Sequence, residues 1–245
     1  MKLSTLLTMT ALFSQSAVAH YKFPALIVDG TPTPEFKYVR FNTNNINPIL
    51  DLNSIDLRCN EGGLASGAQT ETAAVQAGST VGFTLSNSIG HIGPMLVYMA
   101  EAPGDPSSFD GDGEVWFKIH EWGADFSTGS INWPQLGLTS YSFQLPPSLP
   151  NGSYLLRIEH IGVHNAANAN SAQFFVNCAQ VNVTGGGNAN PGPLVAIPGL
   201  YSNEDPGIHF NNYSPPPKSY IIPGPPGRQD SGVKRGFQFF GSIFE

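Results

Sequence analysis

The chain has 245 residues, of which 12% are charged and 40% hydrophobic, and its net charge is −7 at pH 7. That acidic balance argues against nucleic acid and anionic membranes as partners and suits a neutral one. The 27 glycines and 21 prolines argue against a helical bundle and for an all-β protein with long loops.

Residues 1–19 read as a secretory signal peptide: Lys2, the apolar run Leu3 to Phe13, then the small-residue site Ala17-Val18-Ala19. The stretch is too short and wrongly flanked for a transmembrane helix, and no other apolar run approaches about 18 residues. The mature protein is therefore expected to be secreted, extracellular and soluble, beginning at His20. Losing Lys2 takes the basic count from 11 to 10 against 18 acidic residues, a net charge of −8.

Short strands separated by turns are expected in chain order. They are Ala25 to Val28, Phe36 to Arg40, Val81 to Leu85, Met95 to Met99, Val115 to Ile119, Tyr141 to Leu145, Tyr154 to His160, Ala172 to Asn177 and Ala179 to Val183. Met95 to Met99 is continuously apolar and predicts a strand buried on both faces. Thr43 to Ser54 and Glu121 to Gly137 read as loops. The pattern predicts an antiparallel β-sandwich with no convincing helix. After Thr184 the chain is rich in Pro, Gly and Tyr, yet it keeps Leu200, Tyr201, Ile208, Phe210, Tyr213 and Tyr220 as anchors. It is expected to wrap the surface as far as Pro226, closing one domain over residues 20–226. Residues 227–245 are expected to be a disordered tail.

Cys59 and Cys178 are the only cysteines, and a lone pair in an oxidising compartment predicts one disulfide. It would close a loop of roughly 120 residues and contribute up to about 4–5 kcal/mol on the chain-entropy view. Asn151-Gly-Ser, Asn182-Val-Thr and Asn212-Tyr-Ser match the N-glycosylation acceptor, the last weakened by Pro215.

Cleavage after Ala19 would give His20 a free α-amino group beside its imidazole, a bidentate chelate that no internal residue offers. His91 sits in the rigid turn Ser88-Ile-Gly-His91-Ile-Gly-Pro94. Together they supply three nitrogens, which suits copper, with zinc as the rival. His164 and Gln173 form a second polar group. Strand alternation puts Gln173 and Phe175 on one face and Phe174, Val176 and Cys178 on the other. A Gln facing a metal would serve to hydrogen-bond an oxygen there.

These stretches run in the order of a known family. His20-Tyr-Lys-Phe-Pro-Ala-Leu-Ile-Val-Asp-Gly, Ser88-Ile-Gly-His-Ile-Gly-Pro, Leu149-Pro-Asn-Gly-Ser-Tyr-Leu-Leu-Arg-Ile-Glu-His-Ile, Ala172-Gln-Phe-Phe and Cys178-Ala-Gln-Val-Asn-Val-Thr-Gly-Gly-Gly carry the match. The chain resembles the fungal lytic polysaccharide monooxygenases of auxiliary-activity family nine. That resemblance implies an immunoglobulin-like sandwich with a flat copper-bearing face and one copper ion per chain, held by His20 and His91. His164 and Gln173 match the outer pair that hydrogen-bonds the oxygen species, Cys59–Cys178 a family disulfide, and Phe175 the axial position. Tyr220 matches a loop that lies on the glucan, with Tyr213 and Tyr201 as further candidates. The implied activity is oxidative cleavage of β-1,4-glucan such as cellulose at carbon 1 or carbon 4. It uses an external electron donor and dioxygen or hydrogen peroxide, and the protein is expected to be a monomer.

Three departures stand out. Phe175 replaces the usual axial tyrosine, Ile92 replaces a proline, and His120 and Trp122 occupy positions where the family usually has neither. Phe175 lends weight to one rival, a non-catalytic copper-binding or polysaccharide-binding protein on the same fold. A zinc hydrolase lacks a third side-chain ligand and a general base, since Glu159 is too indirect.

Overall fold

The computed structural model describes residues 19–226. The expected signal peptide, as far as Val18, and the expected tail from residue 227 lie outside the described residues. Two sheets pack face to face. The smaller holds β1 (Leu26–Val28), β2 (Thr31–Pro32), β4 (Thr80–Thr84) and β7 (Ser140–Gln144), in the order β2-β1-β4-β7. The larger has the order β10-β6-β5-β8-β9-β3. Its strands are β3 (Ala73–Gln76), β5 (Met95–Glu101), β6 (Glu114–Trp122), β8 (Gly152–Gly162), β9 (Gln173–Thr184) and β10 (Val195–Ala196). Helix is confined to three single 3₁₀ turns among the described residues.

The sandwich is not wholly antiparallel, because β3 pairs with β9 in parallel. Phe36 to Arg40 is not a strand either. Phe36 has φ 54, which breaks the extended run, and only Val39 bridges to Ala179. The chain also runs through Cys178 without a break, so the two short strands expected there are one.

The larger sheet is buried on both faces. Toward the smaller sheet it presents Met95, Val97, Met99, Leu156, Ile158, Phe175, Ala179 and Val181, which meet Phe23, Leu26, Val81, Phe83, Tyr141 and Phe143. Its outer face carries Leu96, Tyr98, Leu155, Ile161, Phe174, Val176 and Cys178 under the long loops. This is why β5, β8 and β9 read as near-continuous apolar runs where a half-exposed strand would alternate. Cys59 and Cys178 are disulfide-bonded on that outer face, with Cα atoms 5.0 Å apart. A β-bulge interrupts the pairing of β5 with β6 between Val97 and Tyr98. The extra residue, Ile119, shifts the alternation, so His120 and Trp122 face inward opposite Val97 and Met95.

Candidate metal centre

The N-terminal segment is pegged along its length. Asn87 Nδ2 donates to the His20 carbonyl (3.1 Å), the Lys22 amide donates to Ser86 Oγ (3.1 Å), and the Phe23 amide donates to Asn177 Oδ1 (3.0 Å). Residues 86 and 87 lead directly into the turn that carries His91. That turn is zipped to β8: Val163 N donates to Ile92 O (2.8 Å) and Ile161 N to Pro94 O (3.1 Å). A Cβ on Gly93 would lie 1.8 Å from the Ile161 carbonyl oxygen, so only glycine allows this approach. The same β8 end delivers His164 two residues beyond the strand. Gln173 and Phe175 come from β9, with Gly162 opposite Gln173 and His160 opposite Phe175.

Four of the five predicted residues form one cluster of rings. His20 and His91 are 5.3 Å apart between ring centroids, and both face Phe175, at 5.5 and 5.8 Å. His164 stacks on His91 at 3.8 Å, with the planes 9° apart. Gly162 sits amid them. A Cβ there would meet His91 Cβ at 3.3 Å, Gln173 Cβ at 3.5 Å and His164 Nδ1 at 3.5 Å. Gln173 thus joins the cluster through the residue that has no side chain.

The site leaves polar atoms unspent. His91 Nε2, His164 Nδ1 and Gln173 Oε1 are buried without a hydrogen-bond partner. Native proteins rarely leave such atoms orphaned, and a functional group or ligand is a standard reason. Burial, then the neighbouring His164 and His20, pushes the His91 imidazole down to about 4. Burial also lowers His164. Both rings are therefore neutral near pH 7, the form that ligates metals.

No group of three His, Cys, Asp or Glu side chains converges as a metal site among the described residues. Two imidazoles plus the main-chain amine of His20 would complete a three-nitrogen set, with no carboxylate or thiolate. Such a set fits copper and not the oxygen-loving cations. Glu159, the rejected hydrolase base, is fully buried on the outer face in an ion pair with Arg157.

The expected sugar-facing tyrosines divide. Tyr213 is 60% exposed. Its loop is tied to the loop after His164 through Phe210 N to Ala166 O (2.9 Å). Tyr220 is half-buried: its hydroxyl donates to Gly207 O (2.8 Å) and its ring meets Trp133 and Phe210 edge-on. Tyr201 does not offer a ring at the surface. It is buried, and its hydroxyl is committed to Glu159 and Tyr98, so it acts as a loop anchor. Asn151 and Asn182 are exposed, as glycan attachment requires. Asn151 Oδ1 accepts from Gly186 N.

Two residues of the cluster had no role in the sequence reading. Tyr21 stacks on Phe175 at 4.6 Å, and its hydroxyl is hydrogen-bonded to His160 Nδ1. His160 sits on the inner face opposite Phe175. Strand alternation back from Phe175 could have found it, had the pairing register been known.

Fold and site together define a β-sandwich whose nitrogen donors gather at one end, around the entry of the N-terminal strand. A profile of Auxiliary Activity family 9 (formerly GH61) matches residues 20–220, and the chain belongs to that family. Its relatives are lytic polysaccharide monooxygenases, which are oxidoreductases. One, AA9 family lytic polysaccharide monooxygenase C of Emericella nidulans, is 51% identical over 91% of this chain and 97% of its own length. Another, AA9 family lytic polysaccharide monooxygenase H of Malbranchea cinnamomea, is 49% identical over 87% of this chain and 94% of its own. Among solved structures, HiLPMO9B superposes with TM-score 0.76 at 33% identity, covering 86% of this chain and all of that one. A cellulose-active polysaccharide monooxygenase from M. thermophila gives TM-score 0.72 at 34% identity, over 85% and 99% of the two chains.

Proposed function

We propose that the mature protein is a secreted copper-dependent monooxygenase that cleaves β-1,4-glucan, with cellulose as its substrate. The observation that carries this reading is the buried, partnerless Nε2 of His91 beside the His20 ring. His20 and His91 would hold the copper ion, which would supply one-electron redox chemistry toward dioxygen or peroxide, with an external donor as reductant and carbon 1 or carbon 4 of the glucan as the point of attack.

The protein's own residues set the terms for that chemistry. His91 binds through Nε2, and His20 through its ring and the amine freed by cleavage after Ala19. Ala19 lies against Gly90, where a Cβ would come 2.6 Å from its Cα, so cleavage removes a residue packed against the turn that carries His91. The family profile begins at residue 20, which supports that cleavage and with it secretion. His164 Nδ1 and Gln173 Oε1 are unspent polar atoms beside His91 and give hydrogen-bonding capacity next to the reacting group. Phe175, 1% exposed, excludes water beneath the ligands. Tyr213 presents a flat ring to a sugar face, with Tyr220 packed behind the same loop. The M. thermophila relative is cellulose-active, which supports the substrate.

One observation favours a second reading. Phe175 brings no phenol to the site, as a non-catalytic copper-binding protein could tolerate. Electron paramagnetic resonance of the copper-loaded mature protein tests the metal. Mass spectra of products from cellulose with ascorbate and peroxide test the chemistry. Oxidised cello-oligosaccharides are expected; copper binding without them would establish the second reading.

A further inference from the structure

The loop that presents Tyr213 is tied to both flanks of the metal centre. Its tip is closed by Asn211: Tyr213 N donates to Asn211 Oδ1 (3.0 Å), and Asn211 Nδ2 donates to the Ser214 carbonyl (2.6 Å). On the His164 side the loop is joined through Phe210 N to Ala166 O (2.9 Å). On the other side Asn212, next to Tyr213, accepts through Oδ1 from Trp133 Nε1 (2.8 Å), a contact between residues 79 positions apart. The Trp133 ring is buried and meets Tyr220 edge-on at 4.9 Å and Phe210 at 6.5 Å.

Trp133 belongs to the loop between β6 and β7, and that loop leads directly to His91. Leu136 N donates to Trp133 O (3.1 Å) and Leu138 N to Gln135 O (3.2 Å), which closes a tight turn after the indole. Gln135 is fully buried, and its Nε2 pins the turn to the Trp122 and Gly123 carbonyls (2.6 and 2.9 Å). Beyond the turn, Gly137 N donates to Ile89 O and Ile89 N to Leu138 O, both at 2.9 Å. Ile89 is buried and stands two residues before His91. A continuous path therefore joins the exposed tyrosine to the metal-binding turn. The hydrogen bond in it that crosses from one loop to the other is Trp133 to Asn212.

We propose that Trp133 is a positioning residue: by holding Asn212 it fixes the Tyr213 ring relative to His91, and so sets which carbon of the glucan chain faces the metal centre. The inference rests on the copper-enzyme reading above, with Tyr213 as a sugar contact. Carbon 1 and carbon 4 flank the same glycosidic oxygen, so a displacement of the chain smaller than one sugar ring exchanges them. Displacements of that size, caused by residues away from the chemistry, change the outcome of an oriented reaction strongly. A buried indole also seeks an acceptor for its own sake, and the test must separate that from positioning.

Three variants of the mature protein make the test. Trp133→Phe keeps a ring against Phe210 and Tyr220 but loses the N–H, Asn212→Leu loses the acceptor, and Asn212→Asp keeps it. Hydrogen exchange of the metal-free protein reads the link without any activity. Trp133→Phe should quicken exchange over residues 210–214, and Asn212→Leu over residues 131–138, because each cut frees the opposite loop. Quickening confined to the altered loop in both variants overturns the link. Retention of the metal-free protein on cellulose should fall roughly two- to tenfold in either variant, the equivalent of one hydrogen bond, and no further when the two are combined. Asn212→Asp should match the natural protein. Losses that add in the combined variant overturn the proposal. With copper, ascorbate and peroxide, mass spectra should show the ratio of carbon-1 to carbon-4 products moved in the same direction by Trp133→Phe and Asn212→Leu, while the copper(II) spectrum stays as in the natural protein. A lower yield at an unchanged ratio would make Trp133 a packing residue only and overturn the positioning role. Failure of the copper-enzyme reading shows separately, as a natural protein that releases no oxidised oligosaccharides; the exchange measurement then still decides the link.

Discussion

On the inner face of β8, His160 is neutral and meets Tyr21 and Phe175. On its outer face, one residue earlier, Glu159 is ion-paired with Arg157 and accepts from Tyr201, whose hydroxyl is also hydrogen-bonded to that of Tyr98. Arg157 also donates to the carbonyls of Leu57 and Arg58, next to the disulfide. Lys118 lies over the Tyr98 ring and donates to Glu121 and the Pro223 carbonyl. Both faces are buried, but they bury polarity for different ends. The outer ionic network clamps the 195–226 loop to the sheet. The inner face keeps carboxylates away, so its histidines stay unprotonated and free to act as ligands or proton acceptors.

The largest effect should come from breaking the outer face. Burial opposes the Arg157 charge, but Glu159 and Tyr201 overcome it and hold the guanidinium above its ordinary range. Glu159→Ala leaves that cation buried and unpaired, which costs about 3–5 kcal/mol. Urea unfolding of the disulfide-intact protein reads this as a lower midpoint. A loss under about 1 kcal/mol would mean that water or a rearranged loop reaches Arg157.

The inner face should respond to pH instead. Burial pushes the His160 imidazole from its ordinary 6.5 down to about 3, and His91 goes to about 4. Both stay neutral in the folded protein at pH values where the unfolded chain protonates. Their stabilising contribution is therefore full above 6.5, and is lost as pH falls toward the folded values. Thermal scans of the metal-free protein should show a midpoint that declines through that window, a loss of a few kcal/mol. His160→Leu should flatten the lower part of the decline. An unchanged slope would mean that carboxylates alone drive acid unfolding.

A smaller effect links the outer face to function. Tyr201→Phe removes one donor from buried Glu159 and should cost about 1.5–3 kcal/mol. Hydrogen exchange should quicken in the 195–226 loop, and retention on cellulose should fall because Tyr213 rides on that loop. Faster exchange spread evenly over the sheets would show that Tyr201 supports the core and not the loop.

The contrast between the faces was only partly legible in the sequence. His20, His91, His164, Gln173 and Phe175 could be named because each lies in a local stretch with its own signature. The β-strands from Met95 onward followed from apolar runs. Strand β3 was missed: Ala73–Gln76 alternates, but its parallel partner β9 is remote in sequence. Tyr201 was misplaced because a tyrosine in a Pro/Gly-rich loop looks solvent-facing until its buried carboxylate partner is known. The inward turn of His120 and Trp122 was invisible, since a one-residue bulge reverses the alternation and leaves no local mark. Register and long-range partners are properties of the assembled sheets.

The smallest expected change in binding, and the sharpest test of the inner face, is Phe175→Tyr. The ring is packed between Tyr21 at 4.6 Å and the His20 and His91 rings at 5.5 and 5.8 Å. Adding one hydroxyl places a polar group in an apolar floor without touching the amine and imidazole donors. Copper affinity by calorimetry should therefore change less than about tenfold, under about 1.4 kcal/mol. The copper(II) paramagnetic spectrum should shift more visibly, because a weak axial oxygen alters the metal's electronic environment while adding little binding energy. The rate of glucan oxidation should change with it, and the natural protein should already be active. If only the Phe175→Tyr protein released oxidised oligosaccharides, the phenol would be essential and the natural chain a copper binder. If the spectrum did not move at all, the new hydroxyl would point away from the ligands, and Phe175 would belong to the core alone.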